Sequence, residues 1–459
     1  VLIFTRVDMS DLPFYPELTS RSSIPKQPIT SAIDGMRPTP PNCIERLYLS
    51  LNAIGVCADI WLRIDVAGSL DVDLLRRAYV QLAGWESRLV SCVVRRPLDY
   101  HWRPVADPEA AIARAVFAQP DTQAAEATCQ CPLDLARDLP VRLVVTPLPD
   151  GGQRLWFTCH HAFTDGRGAL VLLRLLGAAM AGAQPGPQDR ASFRLRTCYS
   201  QRPLLEWPGY AWRSLCAPLR TVRGTAPEVA TWADHAPTPG VAHSGRQVLS
   251  LPDTILDVRR SARSRGLSPT SVLVAAAVRA CHETWGSERD LPARVYVPVA
   301  IMAPEPTTLQ NHVVSVSADL PSEDLAHMRL VEDHMEATLS EDTLSATALT
   351  TMTRFVVPSL LPPLLRELLA RTHLRSTTNR RESLVVTWMR VAGDTLPSFP
   401  DATVADVNAW AHTHTPPGLR MMLVSGPRHN LCLTYSGTTI DPDSAGEALE
   451  RTARHLLAS

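Results

Sequence analysis

The sequence predicts a mixed α/β (α+β) protein built as two lobes, and three observations lead to that prediction. The chain has 459 residues, more than one domain usually holds. Helix-like and strand-like periods alternate in both halves. Residues 183–246 are rich in proline, glycine, tryptophan and arginine without a clear period, which is typical of a linker. We therefore expect an N-terminal lobe over 1–185, a linker or crossover over 186–246 and a C-terminal lobe over 247–459.

In the first half, the apolar periods predict strands that alternate with helices. Pro149-Asp150-Gly151-Gly152 predicts a tight hairpin between two of the strands, and Gly182 predicts the end of the helix that follows them. The expected strands are 59–66, 90–94, 141–145 and 155–159, and the expected helices are 70–82 and 168–181.

The second half repeats this mixture. Ser268 and Pro269 have the residue types of an N-cap and a first helical position, so a helix begins there. The other expected helices are 255–265, 324–340, 358–372 with a break at Pro362-Pro363, and 442–457; the expected strands are 294–299, 312–319, 383–388, 419–424 and 430–435.

The overall charge and composition exclude several classes of protein. A net charge of -1 and a pI near 7.0 argue against a nucleic-acid-binding surface or a polybasic membrane surface. The chain has no apolar run of the roughly 18 residues that a membrane span needs. Ten cysteines in 459 residues are too sparse for a disulfide scaffold. We expect a cytoplasmic protein with reduced cysteines.

The stretch His160-His161-Ala162-Phe163-Thr164-Asp165-Gly166 concentrates reactive groups. It follows an expected strand and precedes an expected helix, so it forms a turn at the end of a strand, where side chains can face a cleft. Histidine titrates near neutral pH, so His161 can accept and return a proton. Asp165 is spaced to fold back across the turn and pair with an arginine or with backbone N–H groups. Gly166 suits a positive φ or a close backbone approach.

Other interpretations of the histidines remain open. The turn could be purely structural. A metal site is disfavoured because adjacent residues on a strand point to opposite faces, so we expect no metal. Cys159 is interpreted as a core residue rather than a nucleophile. His412 and His414 could line a channel or lie on the surface, and the arginines from Arg366 to Arg381 could meet phosphates or form a solvated helix face.

With the motif His-His-x-x-x-Asp-Gly complete at positions 160–166, the chain resembles the CoA-dependent acyltransferase superfamily. That superfamily includes chloramphenicol acetyltransferase-like enzymes, nonribosomal peptide condensation domains, polyketide-associated acyltransferases and wax ester synthases. The resemblance covers residues 40–459. It also rests on the less specific stretches Gly68-Ser69-Leu70-Asp71, Cys131-Pro132-Leu133-Asp134, Leu267-Ser268-Pro269-Thr270 and Tyr435-Ser436-Gly437.

The resemblance implies two chloramphenicol acetyltransferase-like lobes that form a V-shaped pseudo-dimer, with the active site between them. It implies that His161 is the general base, that His160 orients the strand end and that Asp165 pairs with an arginine, for which Arg142 is a candidate. Gly166 would leave room for the donor's pantetheine arm.

The second lobe departs from the branches of this superfamily. The segment Gln310-Asn311-His312 stands where Gly-Asn is common. Thr387 and Trp388 are the best match to a later Ser-Asn pair, and Thr387 is a candidate donor to the tetrahedral oxyanion. Asn311, Thr387 and Trp388 are therefore expected, on weaker grounds, near the substrate.

The function that the resemblance implies is acyl transfer from a thioester to the hydroxyl or amine of a small molecule, in specialised metabolism. The co-substrate would be acyl-CoA or a phosphopantetheinyl acyl-carrier protein, no cofactor would be bound, and the protein would be a monomer. Two alternatives stay open. The first is a stand-alone condensation enzyme that joins carrier-bound partners, and the second is a non-catalytic binding member of the same fold.

Overall fold

The computed structural model describes residues 41–184, 244–286, 291–300, 313–340, 358–377, 383–391, 396–411, 418–436 and 440–459, with the single positions 209, 229, 230, 232, 309 and 311. Most of the linker expected over 186–246 lies outside these residues, so the boundaries of the lobes stay a prediction. His412 and His414 also lie outside the described residues.

Helices and strands alternate along the described chain. The helices are α1 (Cys43–Ala53), α2 (Val72–Trp85), α3 (Pro108–Ala115), α4 (Thr122–Gln130), α5 (Gly166–Met180), α6 (Ile255–Ser264), α7 (Pro269–Trp285), α8 (Met328–Thr338), α9 (Pro363–Thr377) and α10 (Pro442–Leu457), with 3-10 turns at Ser87–Val90 and Ser322–Asp324. The strands are β1 (Asp59–Gly68), β2 (Ser91–Arg95), β3 (Tyr100–Pro104), β4 (Val116–Ala118), β5 (Val141–Pro147), β6 (Gln153–His160), β7 (Ser244–Leu251), β8 (Ala293–Ala300), β9 (Val313–Leu320), β10 (Leu384–Arg390), β11 (Ala402–Ala411), β12 (Leu419–Ser425) and β13 (His429–Ser436).

The first sheet has the strand order β11-β1-β6-β5-β4. Alternate side chains of its central strands, such as Leu62 of β1 and Phe157 of β6, point to one face and are completely or almost completely buried. Helices α2 and α5 pack together, and their apolar residues join those side chains in one core. This core holds β6 rigid up to its last residue, His160.

The second sheet has the order β7-β13-β12-β10-β8-β9 and is mixed, because β10 is parallel to both β8 and β12. One face carries Val386, Met421 and Leu433, which form a second core with α7 and α10. As expected, Ser268 caps α7 with its side chain and Pro269 is the first helical residue. The opposite face of the sheet turns toward the first lobe, where Met389 and Met422 pack against the first core.

Strand β11 connects the two halves of the chain. It follows β10 in sequence, but it pairs antiparallel with β1 along almost the whole of that strand. It thereby completes the first sheet, although it belongs to the second half of the sequence. Its Asp406 accepts a hydrogen bond from the Asn430 side chain of β13, which links the two sheets.

Most expected elements are present with small shifts at their ends, and the mixed α+β class is confirmed. The helix expected over 324–340 begins only at Met328, because a 3-10 turn occupies Ser322–Asp324. The elements that the sequence analysis did not predict are α1, α3, α4, β3, β4, β7 and β11. Among the described residues, no helix has both the length and the apolar character needed to cross a membrane.

Candidate active site

His161 is the first residue after β6, and backbone hydrogen bonds fix its position. Its N–H donates to the carbonyl of Ala58 at 2.9 Å, just before β1 begins. The N–H of His160 donates to the carbonyl of Pro140 at 3.0 Å, just before β5 begins. The carbonyl of His160 then accepts the N–H groups of Phe163 and Thr164, which closes the turn. The His161 side chain therefore projects from a rigid junction of three chain segments.

The two histidines of the motif lie in different environments. His160 is completely buried, and its Nδ1 accepts the backbone N–H of Ala162 at 3.0 Å. A neutral ring that accepts through Nδ1 carries its proton on Nε2. Burial, together with the adjacent His161, lowers the pKa of His160 from 6.5 to about 3. His160 thus stays neutral and stabilises the turn.

His161 is only half-buried, and its ring is enclosed from two sides. The Tyr48 ring of α1 stacks on it, with centroids 4.9 Å apart and planes inclined by 12°. Asn311, from the second half of the chain, donates its side-chain N–H to the His161 carbonyl at 2.9 Å, and the same nitrogen lies 3.4 Å from the Nδ1 of His161. Residues from both halves of the sequence therefore meet at this imidazole.

Burial, and after it the positive charge of Arg420, lower the pKa of His161 from 6.5 to about 4, although a hydrogen bond with the backbone of Thr164 acts in the opposite direction. Arg420 lies on β12 and also affects Tyr48, whose hydroxyl pKa is raised mainly by burial. The imidazole is therefore neutral at neutral pH, which is the state that can accept a proton.

Asp165 is buried and caps α5. Its Oδ1 accepts the backbone N–H groups of Arg167 at 3.0 Å and Gly168 at 2.9 Å, which are two of the four unsatisfied donors of that helix. The pairing suggested with Arg142 is wrong. Arg142 donates to the carbonyls of Thr128 and Cys131 and pairs with Asp138 at 3.7 Å instead.

Gly166 has neither the positive φ nor the close backbone approach that its residue type suggested. Its φ is not positive, and a Cβ built on it would meet no described atom within 4 Å. The glycine that allows a close approach is Gly168, where a Cβ would clash with the Thr164 side chain and lie 3.6 Å from the Cα of Leu309. The space beside Gly166 is open, so it leaves room next to the turn.

The candidate residues of the second lobe do not all lie together. Asn311 is completely buried against His161, and its Oδ1 accepts the N–H of Val313 at 3.1 Å. Thr387 shares a sheet face with Met389, which packs toward the first lobe. Trp388 points to the opposite face, where it packs on the second core and its indole N–H donates to Ser425 at 2.8 Å. The structure thus separates Trp388 from Thr387.

A buried cluster of charged side chains packs against the histidine turn. The Arg88 guanidinium binds Glu86 at 3.0 Å and Glu45 at 2.7 Å, and all three side chains are buried. It also lies 5.0 Å from the centroid of the Phe163 ring, two residues after His161. Glu45 forms a capping box with Asn42 at the start of α1. The cluster therefore ties α1, which carries Tyr48, to the histidine turn.

Sequence reasoning did not find Tyr48, Arg420, or the role of Arg88. These residues are far from the motif in sequence, so nothing but their residue type could have indicated a place in the site. Cys159 is completely buried, and burial raises the pKa of its thiol, as suits a core residue. Within the described part of the chain, no group of three His, Cys, Asp or Glu side chains is placed to hold a metal ion.

The likeness of this chain to known proteins lies in its structure. No family model and no curated protein matches the sequence. A trichothecene 15-O-acetyltransferase from Fusarium sporotrichioides matches with a TM-score of 0.65 at 12% identity, over 92% of this chain and 94% of that one. Polyketide synthase associated protein 5 from Mycobacterium tuberculosis matches with a TM-score of 0.60 at 17% identity, over 92% of this chain and 98% of that one.

Condensation domains match equally well. The starter condensation domain of rhizomide synthetase, in a complex with C8-CoA and Leu-SNAC, has a TM-score of 0.61 at 15% identity, over 92% of this chain and 93% of that one. The chain therefore shares the fold of these proteins. Within this fold, the His161 ring lies where side chains of the first and second halves of the sequence meet.

Proposed function

We propose that the protein is an acyltransferase that moves an acyl group from a thioester, carried by CoA or by a carrier protein, to the hydroxyl or amine of a small molecule. The observation that carries this proposal is the neutral, half-buried His161 at the meeting of the two halves of the chain. The acyltransferase fold supports the same assignment.

In the proposed reaction, His161 is the general base. The acceptor gives its proton to the unprotonated ring nitrogen of His161 while its oxygen or nitrogen attacks the thioester carbonyl. The tetrahedral oxyanion then collapses and the carbon–sulfur bond breaks. The leaving thiolate takes the proton back from His161, so the products are a free thiol and an ester or amide.

The surroundings of His161 suit the charges of this reaction. Arg420 opposes protonation of His161 in the resting state, and the same positive charge would stabilise the oxyanion that forms nearby. Thr387 is a candidate hydroxyl donor to that oxyanion, because its strand face turns toward the first lobe. The open space beside Gly166 would hold the pantetheine arm of the donor. Asn311 is assigned no contact with the substrate, because its side chain binds the His161 carbonyl.

The test is release of free thiol when the purified protein is mixed with acyl-CoA or acyl-carrier protein and a panel of alcohols and amines. His161→Ala should lower the turnover at least about a hundredfold, the usual contribution of a general base. His327→Ala, at an exposed position at the start of α8, is the matched control and should turn over normally. An unchanged rate in His161→Ala would remove His161 from the mechanism.

The same assay separates the alternatives. Transfer from a carrier-bound donor alone, without transfer from acyl-CoA, would favour a condensation enzyme, which the structural match to condensation domains also allows. Binding of acyl-CoA without transfer to any acceptor would favour a non-catalytic member of the fold.

The pH dependence gives a second readout. His161 accepts a proton only when it is neutral, and its pKa lies at about 4. We therefore expect kcat/KM to stay level from neutral pH down past pH 6.5 and to fall only as the pH approaches 4. A decline centred near pH 6.5 would show that the base is an unperturbed histidine.

A further inference from the structure

Helix α9 has its polar face turned inward and its apolar face turned outward. Arg366 and Glu367 are buried, although neither residue type is usually found inside a protein without a partner. The outward positions of α9 are four leucines at helical spacing, exposed by 45% to 67%: Leu364, Leu365, Leu368 and Leu369. Leu360, three residues before the helix, is 77% exposed.

Ion pairs explain why the polar face can be buried. Arg366 donates to Asp99 at 3.0 Å and lies 5.1 Å from the centroid of the Tyr100 ring. Glu367 accepts the Tyr100 hydroxyl at 2.6 Å and pairs with Arg95 at 2.8 Å. The turn between β2 and β3 therefore fixes the orientation of α9, and the leucines must face away from it.

The same turn adds a sixth leucine, Leu98, which is 80% exposed and lies next to Asp99. We call Leu98, Leu360 and the four exposed leucines of α9 the leucine corner. Among the described residues, the leucine corner holds six of the nine large apolar side chains that are exposed. Concentration of exposed apolar side chains on one surface marks an interaction site, whereas scattered ones do not.

The acidic and the exposed basic side chains at the leucine corner are also divided between its inner and outer surfaces. The acidic residues Asp99 and Glu367 are turned inward and bound in the ion pairs described above. Among the described side chains of the turn and of α9, the exposed charges are Arg95, Arg96 and Arg371, which are all positive. Arg375, Arg380 and Arg381 follow in the sequence, with side chains outside the described residues. The near-neutral total charge hides this local excess of arginine.

We propose that the leucine corner docks on a membrane surface that contains anionic lipids. A stripe of leucines on a helix can insert into the hydrocarbon of a membrane, and arginines beside it can bind the anionic headgroups. Helices that lie in the plane of a membrane interface have this arrangement. Helix α9 also packs against α1, which carries Tyr48. Docking would therefore place the lipid surface one helix away from the ring stacked on His161.

The experiment is flotation of the purified full chain with vesicles of phosphatidylcholine, with or without phosphatidylglycerol. We expect binding to the vesicles that contain phosphatidylglycerol and weaker binding to phosphatidylcholine alone. The double variant Leu364→Ser/Leu368→Ser should reduce the partition coefficient at least about tenfold, because two leucines lose their burial in the membrane. In Arg96→Gln/Arg371→Gln, each removed arginine should weaken binding to the anionic vesicles about fivefold.

Leu330→Ser is the matched control, since Leu330 is 46% exposed but lies on α8, away from the leucine corner. It should bind the vesicles as the wild type does. The proposal is wrong if the wild type does not float, or if Leu364→Ser/Leu368→Ser floats equally well.

Two further outcomes would overturn the membrane proposal and show that something else covers the leucine corner. Loss of thermal stability in Leu364→Ser/Leu368→Ser would show that the chain itself covers these leucines. Conversion of a dimer to a monomer by that variant, measured by light scattering, would show an interface between copies. Retention of acyl transfer in the leucine variant would keep these outcomes separate from the test of the proposed function.

Discussion

The two sides of the His161 ring are built in different ways. One side is a continuous stretch of chain, in which β6, the histidine turn and α5 follow each other and are held by backbone hydrogen bonds. The other side consists of Tyr48 from α1 and of Asn311, which lies 150 residues after His161 and binds it through its side chain.

The two sides therefore have different tasks, since one positions His161 and the other covers its ring. The continuous side fixes where the base stands, because backbone hydrogen bonds hold His160 and His161 and Asp165 caps the helix that follows them. The distant side covers the ring with Tyr48, anchors its carbonyl through Asn311 and places the charge of Arg420 nearby. Substitutions on the two sides should therefore fail in different ways.

The largest effect is expected at Arg88, which holds α1 on the distant side. Arg88→Met would leave the buried carboxylates of Glu45 and Glu86 without their cation, which should reduce the free energy of unfolding by about 3–5 kcal/mol. Urea unfolding measures this loss. The control is Arg260→Met, which breaks an exposed ion pair with Asp257 and should change the stability by less than about 0.5 kcal/mol. Equal effects in both variants would refute the supporting role of Arg88.

Asn311→Ala should have the next largest effect, because the residue is completely buried and serves both His161 and Val313. Leaving the His161 carbonyl and the Val313 N–H without partners should cost about 1–3 kcal/mol. Catalysis should suffer with stability, so we expect kcat to fall while KM for the donor changes little. An intact kcat in a destabilised protein would limit Asn311 to a structural role.

On the continuous side, Asp165→Ala should lower stability by roughly 1 kcal/mol, the usual cost of losing an N-cap. Asp165→Asn keeps an oxygen that can cap α5, so its stability should lie close to that of the wild type. Chemical denaturation compares the two variants. If Asp165→Asn is fully folded but inactive, the carboxylate has a role beyond the cap.

The smallest effect is expected when the ring that covers His161 is changed. Tyr48→Phe keeps the stacked ring and should retain most of the activity. Tyr48→Ala removes it and should lose about 0.5–1.5 kcal/mol of ring interaction, and more water should reach His161. Because burial is the main cause of the low pKa of His161, the acid limb of the pH–rate profile should then move upward from about 4. No movement would show that Tyr48 does not shield the base.

The continuous side could be predicted from the sequence because all its information is local. The strand of 153–160, the turn and α5 appear as apolar periods around His160, His161 and Asp165. The Pro149–Gly152 hairpin was predicted in the same way, and Gly151 has the positive φ that such a turn needs. The close approach expected at Gly166 occurs at Gly168 instead, because a Cβ at Gly168 would clash with the Thr164 side chain.

The distant side could not be predicted from local patterns. Nothing in the composition of α1 shows that Tyr48 will meet a histidine, or that Glu45 will pair with Arg88. The strand β11 escaped detection because Asp406 and Asn408 occupy buried positions between the two sheets, which removes the apolar alternation. Helix α9 was predicted as a helix, but its orientation depends on ion pairs with Asp99 and Tyr100.

The return of β11 to β1 has a consequence for how the chain is made. During synthesis, β1 leaves the ribosome long before Ala402–Ala411 exists, so its edge stays open while almost the whole second half is translated. An open edge is a template for pairing with other chains, and pairing over such a separation is slow. A product cut short before Ala402 should therefore aggregate instead of surviving as a free first lobe.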